Sequence, residues 1–368
     1  MPAVLRSTPL RTPQLGPLRI PASRLAKRVV LAAALSVTAL SAGRVEASDC
    51  DDPYFSPCFD ANVLWLPAGR ASFFSMPDTR VIAPGQFGFG AAAELLHQPV
   101  VLRAASPDAD GREIRVLESA LDVSYFLAFG LGQNLEASLV ASTRVHQSGA
   151  GAGSVASQSA PALSHNAVRD PRVALAYSLD QVLAVPGFGL RLAVEASVPL
   201  GVRDPFANER SFVVMPNATF GYQRGALRLS AELGARLRQA VDFGGVRLED
   251  QGFVAFGVAG TVLPGWFTLS AEFFGLPPLS DSRGSAASPR VSSARLFPAE
   301  WLLGIHSAFG PSGPWTLSIA GGGGIPLSSE TRESSNGPAT SHFLGMSTPD
   351  FRALISLRFT PAEPSRLR

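Results

Sequence analysis

The stretch Pro349 to Phe359, Pro-Asp-Phe-Arg-Ala-Leu-Ile-Ser-Leu-Arg-Phe, constrains the fold of this chain more than any other. Phe351, Ala353, Ile355, Leu357 and Phe359 are apolar at alternate positions, Arg352, Ser356 and Arg358 lie between them, and Leu354 is the one exception. Alternation with period two marks a β-strand with two unlike faces. Arginines on one face and hydrocarbon on the other suit a wall between water and lipid. In lipid an unpaired strand edge leaves N–H and C=O groups unsatisfied, so a strand like this one must close a barrel. The chain upstream should then be a series of similar segments.

Composition agrees with that expectation. Hydrophobic residues make up 46% of the chain and charged residues only 16%, with 35 Gly and 30 Pro, too apolar for disorder and too broken for long helices. After residue 42 no run approaches the ~20 apolar residues of a membrane helix. From Gln86 onward there are twelve strand-like segments, at about 86–96, 114–128, 133–145, 168–179, 188–200, 211–224, 227–238, 253–263, 266–275, 300–309, 315–325 and 350–359. Their connections alternate between long ones, such as 146–167, 276–299 and 326–349, and short turns such as Phe129–Gly132 and Leu263–Gly265. Short turns at one rim and long loops at the other are the pattern of an all-β, antiparallel, up-and-down transmembrane β-barrel, and an even strand count puts both termini at the short-turn, periplasmic rim. The barrel is expected over 86–360, with a C-terminal tail at 361–368.

Residues 1–47 have the features of a cleaved signal peptide. A basic segment ends at Arg28, an apolar run spans Val29 to Ala42, and cleavage is expected after Ala47, with Ala42 as the second choice. Removing seven basic residues and one acid takes the formal charge from +2 to about −4, which leaves no basic face for nucleic acid. The segment 48–85 is expected at the periplasmic side. It carries the two cysteines, Cys50 and Cys58, with Asp-Pro and Ser-Pro turns between them; in an exported chain such a pair favours a disulfide loop over a metal site. Phe59 to Gly85 reads either as a periplasmic lead-in or as a short plug entering the barrel.

Face patterning divides the segments. Leu135, Ala137, Leu139 and Ala141 alternate with Asn134, Glu136, Ser138 and Ser142; Leu227, Leu229, Ala231 and Leu233 alternate with Arg228, Ser230 and Glu232. The charged set must face the lumen, because an arginine facing lipid at the midplane costs roughly 2–4 kcal/mol. Aromatics collect at the short-turn ends (Phe129, Tyr177, Phe188, Tyr222, Trp266, Phe267, Phe309, Trp315, Phe359) and near the other ends (Phe212, Phe253, Phe273, Trp301, Phe351), as in interfacial belts. Glu94, Glu136, Glu195, Glu232 and Glu272 recur in apolar frames. With Glu118, Asp122, Arg191, Arg228, Arg236, Arg352 and Arg358 they form the expected lumen lining, either as a salt-bridge network filling the barrel or as a charge-selecting constriction.

The order of several short motifs resembles one family. Cys58-Phe-Asp-Ala-Asn-Val-Leu-Trp65, Val81-Ile-Ala-Pro-Gly85, Gln98-Pro-Val-Val-Leu-Arg103, Pro107-Asp-Ala-Asp-Gly-Arg112, Asp170-Pro-Arg172, Val198-Pro-Leu-Gly201, Pro298-Ala-Glu-Trp301, Gly321-Gly-Gly-Gly-Ile-Pro326 and Thr348-Pro-Asp-Phe-Arg352 together are similar to the N-terminal barrel of OmpA-family outer-membrane proteins from myxobacteria and related delta-proteobacteria. The resemblance covers about residues 50 to 360. It implies a cell outer-membrane location in a Gram-negative bacterium, with outer-membrane lipid and lipopolysaccharide around the wall. Phe359 resembles the terminal aromatic that the assembly machinery reads. Many such relatives continue into calcium-binding repeats and a peptidoglycan-binding domain, and none is expected here.

Three classes of function remain: a pore or small-solute transporter, a structural or adhesive barrel, and an outer-membrane hydrolase. For the last, His97, His146, His165, His306 and His342 are scattered, with no Gly-x-Ser-x-Gly. No enzyme activity, cofactor or metal is expected, and the sequence carries no mark of oligomeric state.

Overall fold

The computed structural model describes Cys50 and residues 55–361, apart from 105–111, 155–162, 181–184, 201–203, 245, 281–293, 310–312, 335–336 and 345. The expected signal peptide and the end of the tail lie outside the described residues.

Twelve antiparallel strands close into a barrel: β1 (Phe87–Ala104), β2 (Arg112–Gly130), β3 (Leu135–Ser148), β4 (Arg172–Ser178), β5 (Phe188–Ser197), β6 (Val213–Arg224), β7 (Leu227–Arg236), β8 (Gln251–Leu263), β9 (Phe267–Gly275), β10 (Ala299–Ala308), β11 (Trp315–Gly324) and β12 (Phe351–Phe359). Each strand pairs with its neighbours in sequence, and β12 pairs back onto β1 in a register running from Phe89 opposite Phe359 to His97 opposite Phe351. No sheet edge is left in the wall, as a hydrocarbon setting requires.

All twelve segments expected from periodicity are strands, with shifted ends. β1 and β2 run on into the expected 97–113 loop as a long hairpin, kinked where Gln98 adopts a φ of 51° and the register shifts between His97 and Val100. β4 starts at Arg172 rather than 168, because Pro171 has no N–H to give a ladder; Ala167–Val168 pairs separately against β3. The long loops also hold short strands, Val241–Phe243 with Val246–Leu248 and Ser328–Ser334 with Gly337–Phe343.

The wall is apolar outside. Leu139, Leu175, Leu192, Val194, Phe220, Leu229, Leu233, Val258, Ile305, Ile319 and Ile355 are exposed on its outer face. Tyr177, Phe188, Trp266 and Phe309 are exposed at the short-turn ends, and Phe212, Trp301 and Phe351 at the others. Phe253, assigned from sequence to the second belt, instead turns inward and is buried, since it packs in the interior cluster. At the seam, Phe359 stacks on Phe89 at 5.0 Å and meets Trp315 at 5.2 Å.

The interior contains a separate segment. For Phe59 to Gly85 the sequence left both a lead-in and a plug open, and this segment runs inside the barrel. Val63, Leu64, Trp65, Leu66, Phe73, Phe74 and Met76 form one buried cluster with the wall residues Ala92, Phe126, Phe274, Leu302, Ala320 and Leu354. Leu354, the exception on the polar face of β12, is apolar because it faces this plug and not water. The wall makes room for the plug: a Cβ at Gly257 would lie 2.7 Å from Phe73 and Met76, and one at Gly304 would lie 2.6 Å from Phe74.

This threading corrects one expectation. β1 begins and β12 ends at the short-turn rim, but the chain ahead of β1 crosses the lumen, so the Cys50–Cys58 disulfide sits at the long-loop rim rather than at the short-turn rim where it was expected. There Ser56 N donates to Asp242 O at 3.0 Å and Phe206 N to Pro57 O at 2.8 Å. Phe59, Phe206 and Phe243 meet edge to face at 5.4–5.5 Å, the centre of a second apolar cluster that the long loops build over the rim.

Candidate functional site

An irregular segment inside a membrane barrel presents backbone groups that no sheet ladder satisfies, so the wall has to supply partners. Four of the charges singled out from the sequence do so. Glu272 accepts from Phe74 N at 2.9 Å, Ser75 N at 2.8 Å and the Ser75 hydroxyl at 2.8 Å. Glu136 accepts from Ile82 N at 2.8 Å, Arg236 donates to Val63 O at 2.9 Å, and Arg358 reaches the carbonyls of Pro67 and Gly69. Each pairing replaces a water bond that the plug backbone would otherwise lack; leaving such a group buried and unpaired costs about 1–3 kcal/mol.

Toward the long-loop rim these contacts merge into one ion network with Asn62 at its centre. The Asn62 amide donates to Glu94 at 2.8 Å and to Asp122 at 2.9 Å, and its oxygen accepts from Arg352 Nη1 at 2.9 Å. Arg352 in turn forks onto Glu300 at 2.7 and 2.9 Å. Arg144 forks onto Asp122 at 2.7 and 3.1 Å, and Arg169 bridges Asp122 and Asp60. Bidentate guanidinium–carboxylate pairs are among the stronger polar contacts, and here they are fully buried. One layer below, two guanidiniums lie over the Trp65 ring, that of Arg172 at 5.0 Å and that of Arg236 at 4.5 Å from its centre.

Of the residues expected to line the lumen, Glu94, Asp122, Glu136, Arg236, Glu272, Arg352 and Arg358 are thus brought onto the plug. Arg191, Glu195 and Glu232 face inward on β5 and β7 without touching it by a hydrogen bond, and Glu195 sits 4.0 Å from Arg172. Arg228 lies at the short-turn rim, 3.8 Å from Asp78. Glu118 is not in the lumen: the kink in the β1–β2 hairpin carries it past the wall, where it pairs with Arg115 at 3.1 Å on the surface. Asp60, Asn62, Trp65, Arg144, Arg169, Arg172 and Glu300 were not singled out from the sequence. The signal for several was in the motifs: Asp60, Asn62 and Trp65 lie in Cys58–Trp65, Arg172 in Asp170-Pro-Arg172 and Glu300 in Pro298–Trp301, and the expected Arg352, which meets them, lies in Thr348–Arg352. Motifs far apart in the chain meet at one place in the lumen.

His306 also faces inward, with Nδ1 2.9 Å from the Ser318 hydroxyl and Nε2 2.9 Å from that of Ser270, under the Phe74 ring at 4.9 Å. Both nitrogens are taken by serines, so no carboxylate orients the ring as a general base would require. Among the described residues no group of His, Cys, Asp or Glu has the arrangement of a metal site.

Fold and interior together define a twelve-stranded transmembrane barrel with its own N-terminal segment as a plug. No protein-family model matches the chain, and no curated protein matches it. Among solved structures, it is similar to the COG4313 outer-membrane channel from Pseudomonas putida F1, at 11% identity over 77% of this chain and 97% of that one, with a TM-score of 0.48. It is also similar to the NanC porin (10% identity, 74% and 100% covered, TM-score 0.42) and to the P. putida toluene transporter TodX (10%, 77% and 92%, TM-score 0.37).

Proposed function

We propose that this protein is an outer-membrane pore for small solutes whose resting state is closed by residues 59–82. The observation that carries this reading is how the interior is filled. Eight-stranded barrels are filled by their own side chains, whereas twelve strands enclose more space. Here that space holds a segment with no sheet or helix of its own, attached to the wall by side-chain contacts. A purely structural barrel needs no separable filler. The resemblance to OmpA-family barrels supports the same location, with lipid and lipopolysaccharide outside and Phe359 as the assembly signal.

The test is conductance of refolded protein in planar bilayers, compared with the double variant Glu136→Gln, Glu272→Gln, which loosens the plug. Brief openings in the parent and longer ones in the variant are expected. A parent that is silent under all voltages, beside a variant that conducts, would favour the structural or adhesive reading; silence in both would end the pore reading.

A further inference from the structure

We infer that solute passes along one side of the plug, the inner face of β4 to β7, and that Arg191 and Glu232 form the gate on that path. This deepens the pore reading and rests on it. Three independent observations point to the same arc.

The first is polar satisfaction. Of the described barrel-strand side chains with a buried polar atom that lacks a hydrogen-bond partner, Arg172, Arg191, Asn217, Thr219, Glu232 and Arg236 all lie on β4–β7; among the described residues of the other eight strands only Gln251 and Ser356 do. Buried, unpaired polar atoms are costly, and water or a polar solute removes that cost. Arg172 and Arg236 still hold the plug at the carbonyls of Leu66 and Val63, but Arg191, Asn217, Thr219 and Glu232 between them give it no hydrogen bond, so a small movement of the plug away from these four is opposed least.

The second is the apolar cluster that seats the plug. β1, β2, β3, β8, β9, β10, β11 and β12 all contribute to it, whereas β4, β5 and β7 contribute nothing, and β6 contributes only Val213 and Met215. The third is a cavity of about 230 Å³ at the short-turn rim between the plug and β5–β7, lined by Asp78, Thr79, Arg228 and the glycines 189 and 221. Cross-strand register leads directly from it to the gate. Gly189 faces Gly221 and Gly221 faces Ser230, and the next inward row is Ser178, Arg191, Thr219 and Glu232, each opposite the next.

The chemistry of this row defines what it takes. It carries hydroxyls, one guanidinium and one carboxylate, with Asn217 above and no apolar cluster, which suits small hydrophilic solutes and ions and not hydrocarbons.

The experiment uses the full chain with its disulfide intact and single cysteines placed on either arc: Ala193→Cys and Asn217→Cys on the inferred path, Ala92→Cys and Ala320→Cys opposite. A small anionic thiosulfonate is the probe, read by mass shift and by potassium chloride current. Modification at 193 and 217 at least about tenfold faster than at 92 and 320, with loss of current, is expected for sites that open locally. Ser178→Cys provides a third position on the path should Asn217→Cys fail to fold. Current blocked from 92 or 320, or current that persists when 178, 193 and 217 are all unreactive, overturns the arc while the pore reading stands. No current in the parent or in the plug-loosened variant overturns the pore reading itself.

Discussion

Arg352 on β12 and Glu232 on β7 are both buried charges facing the same plug, yet their surroundings differ. Arg352 forks onto Glu300 and donates to Asn62, so its guanidinium is held on several sides. Glu232 has a carboxylate oxygen with no hydrogen-bond partner, two strands from the unpartnered guanidinium nitrogen of Arg191. The same contrast extends to the arcs around them: β12, β1 and β2 bind the plug through hydrogen bonds to the Asn62 amide and through hydrocarbon, while β4 to β7, apart from Arg172 and Arg236 on the carbonyls of Leu66 and Val63, leave polar atoms unmatched. A buried charge alone therefore says little about whether a barrel is sealed. What matters is whether each of its hydrogen-bonding positions is taken.

The largest effect should come from breaking the saturated side. Asp122→Ala strips Arg144 and Arg169 of their shared carboxylate and leaves two cations buried in the lumen. Removing one partner of a buried pair typically costs 3–5 kcal/mol, and a urea unfolding midpoint, read by the heat-modifiable gel shift, should fall accordingly. If the midpoint does not move, the network is not what holds the plug, and the comparison between arcs collapses.

Next comes the tether at the long-loop rim. Cys50 and Cys58 close a loop eight residues apart in sequence, against a rim cap built on Phe59, Phe206 and Phe243. Replacing both by Ser should lower stability by about 2–3 kcal/mol on the loop-entropy model, and should raise plug mobility seen by proteolysis near residue 60. Mass spectrometry of the untreated protein should find no free thiols; two free thiols would remove the tether from the account.

Phe359 tests the seam. Its ring meets Phe89 and Trp315, two aromatic pairs worth about 0.5–1.5 kcal/mol each beyond their buried area. Phe359→Ser should lower outer-membrane abundance and induce envelope stress more than it lowers the unfolding midpoint of whatever barrel does assemble. Equal abundance to the parent would remove any assembly role from this residue.

The wall was legible in the sequence because its cause is local: period-two alternation and loop length are properties of ten or so adjacent residues. The plug was not, because its backbone is irregular and its partners lie as far as 291 residues away, as between Pro67 and Arg358. Leu354 on the polar face of β12 was the trace it left, along with glycines such as Gly257 and Gly304 that read as mere composition until Phe73 and Phe74 are set against them. Glu118 was misplaced for a related reason. A bulge shifts register without changing the alternation on either side of it, so face assignment by parity fails past the bulge.

The smallest expected effect on stability is also the sharpest test of the comparison. Glu232→Gln removes a charge that has little holding it in place, so stability should change by less than about 1 kcal/mol, in either direction, where Asp122→Ala is severe. Glutamine keeps the size and one acceptor, so packing against Thr219 and Ala255 on the flanking strands is preserved. Its effect should appear in conduction instead. With Arg191 left as the main charge of the row, the current should shift its preference toward anions, measured as a reversal potential under a salt gradient. The partner change Arg191→Gln should shift it toward cations. A Glu232→Gln barrel that unfolds as readily as Asp122→Ala would mean that β4 to β7 grip the plug as firmly as the opposite wall. Selectivity unmoved by either substitution would place the solute path away from this row.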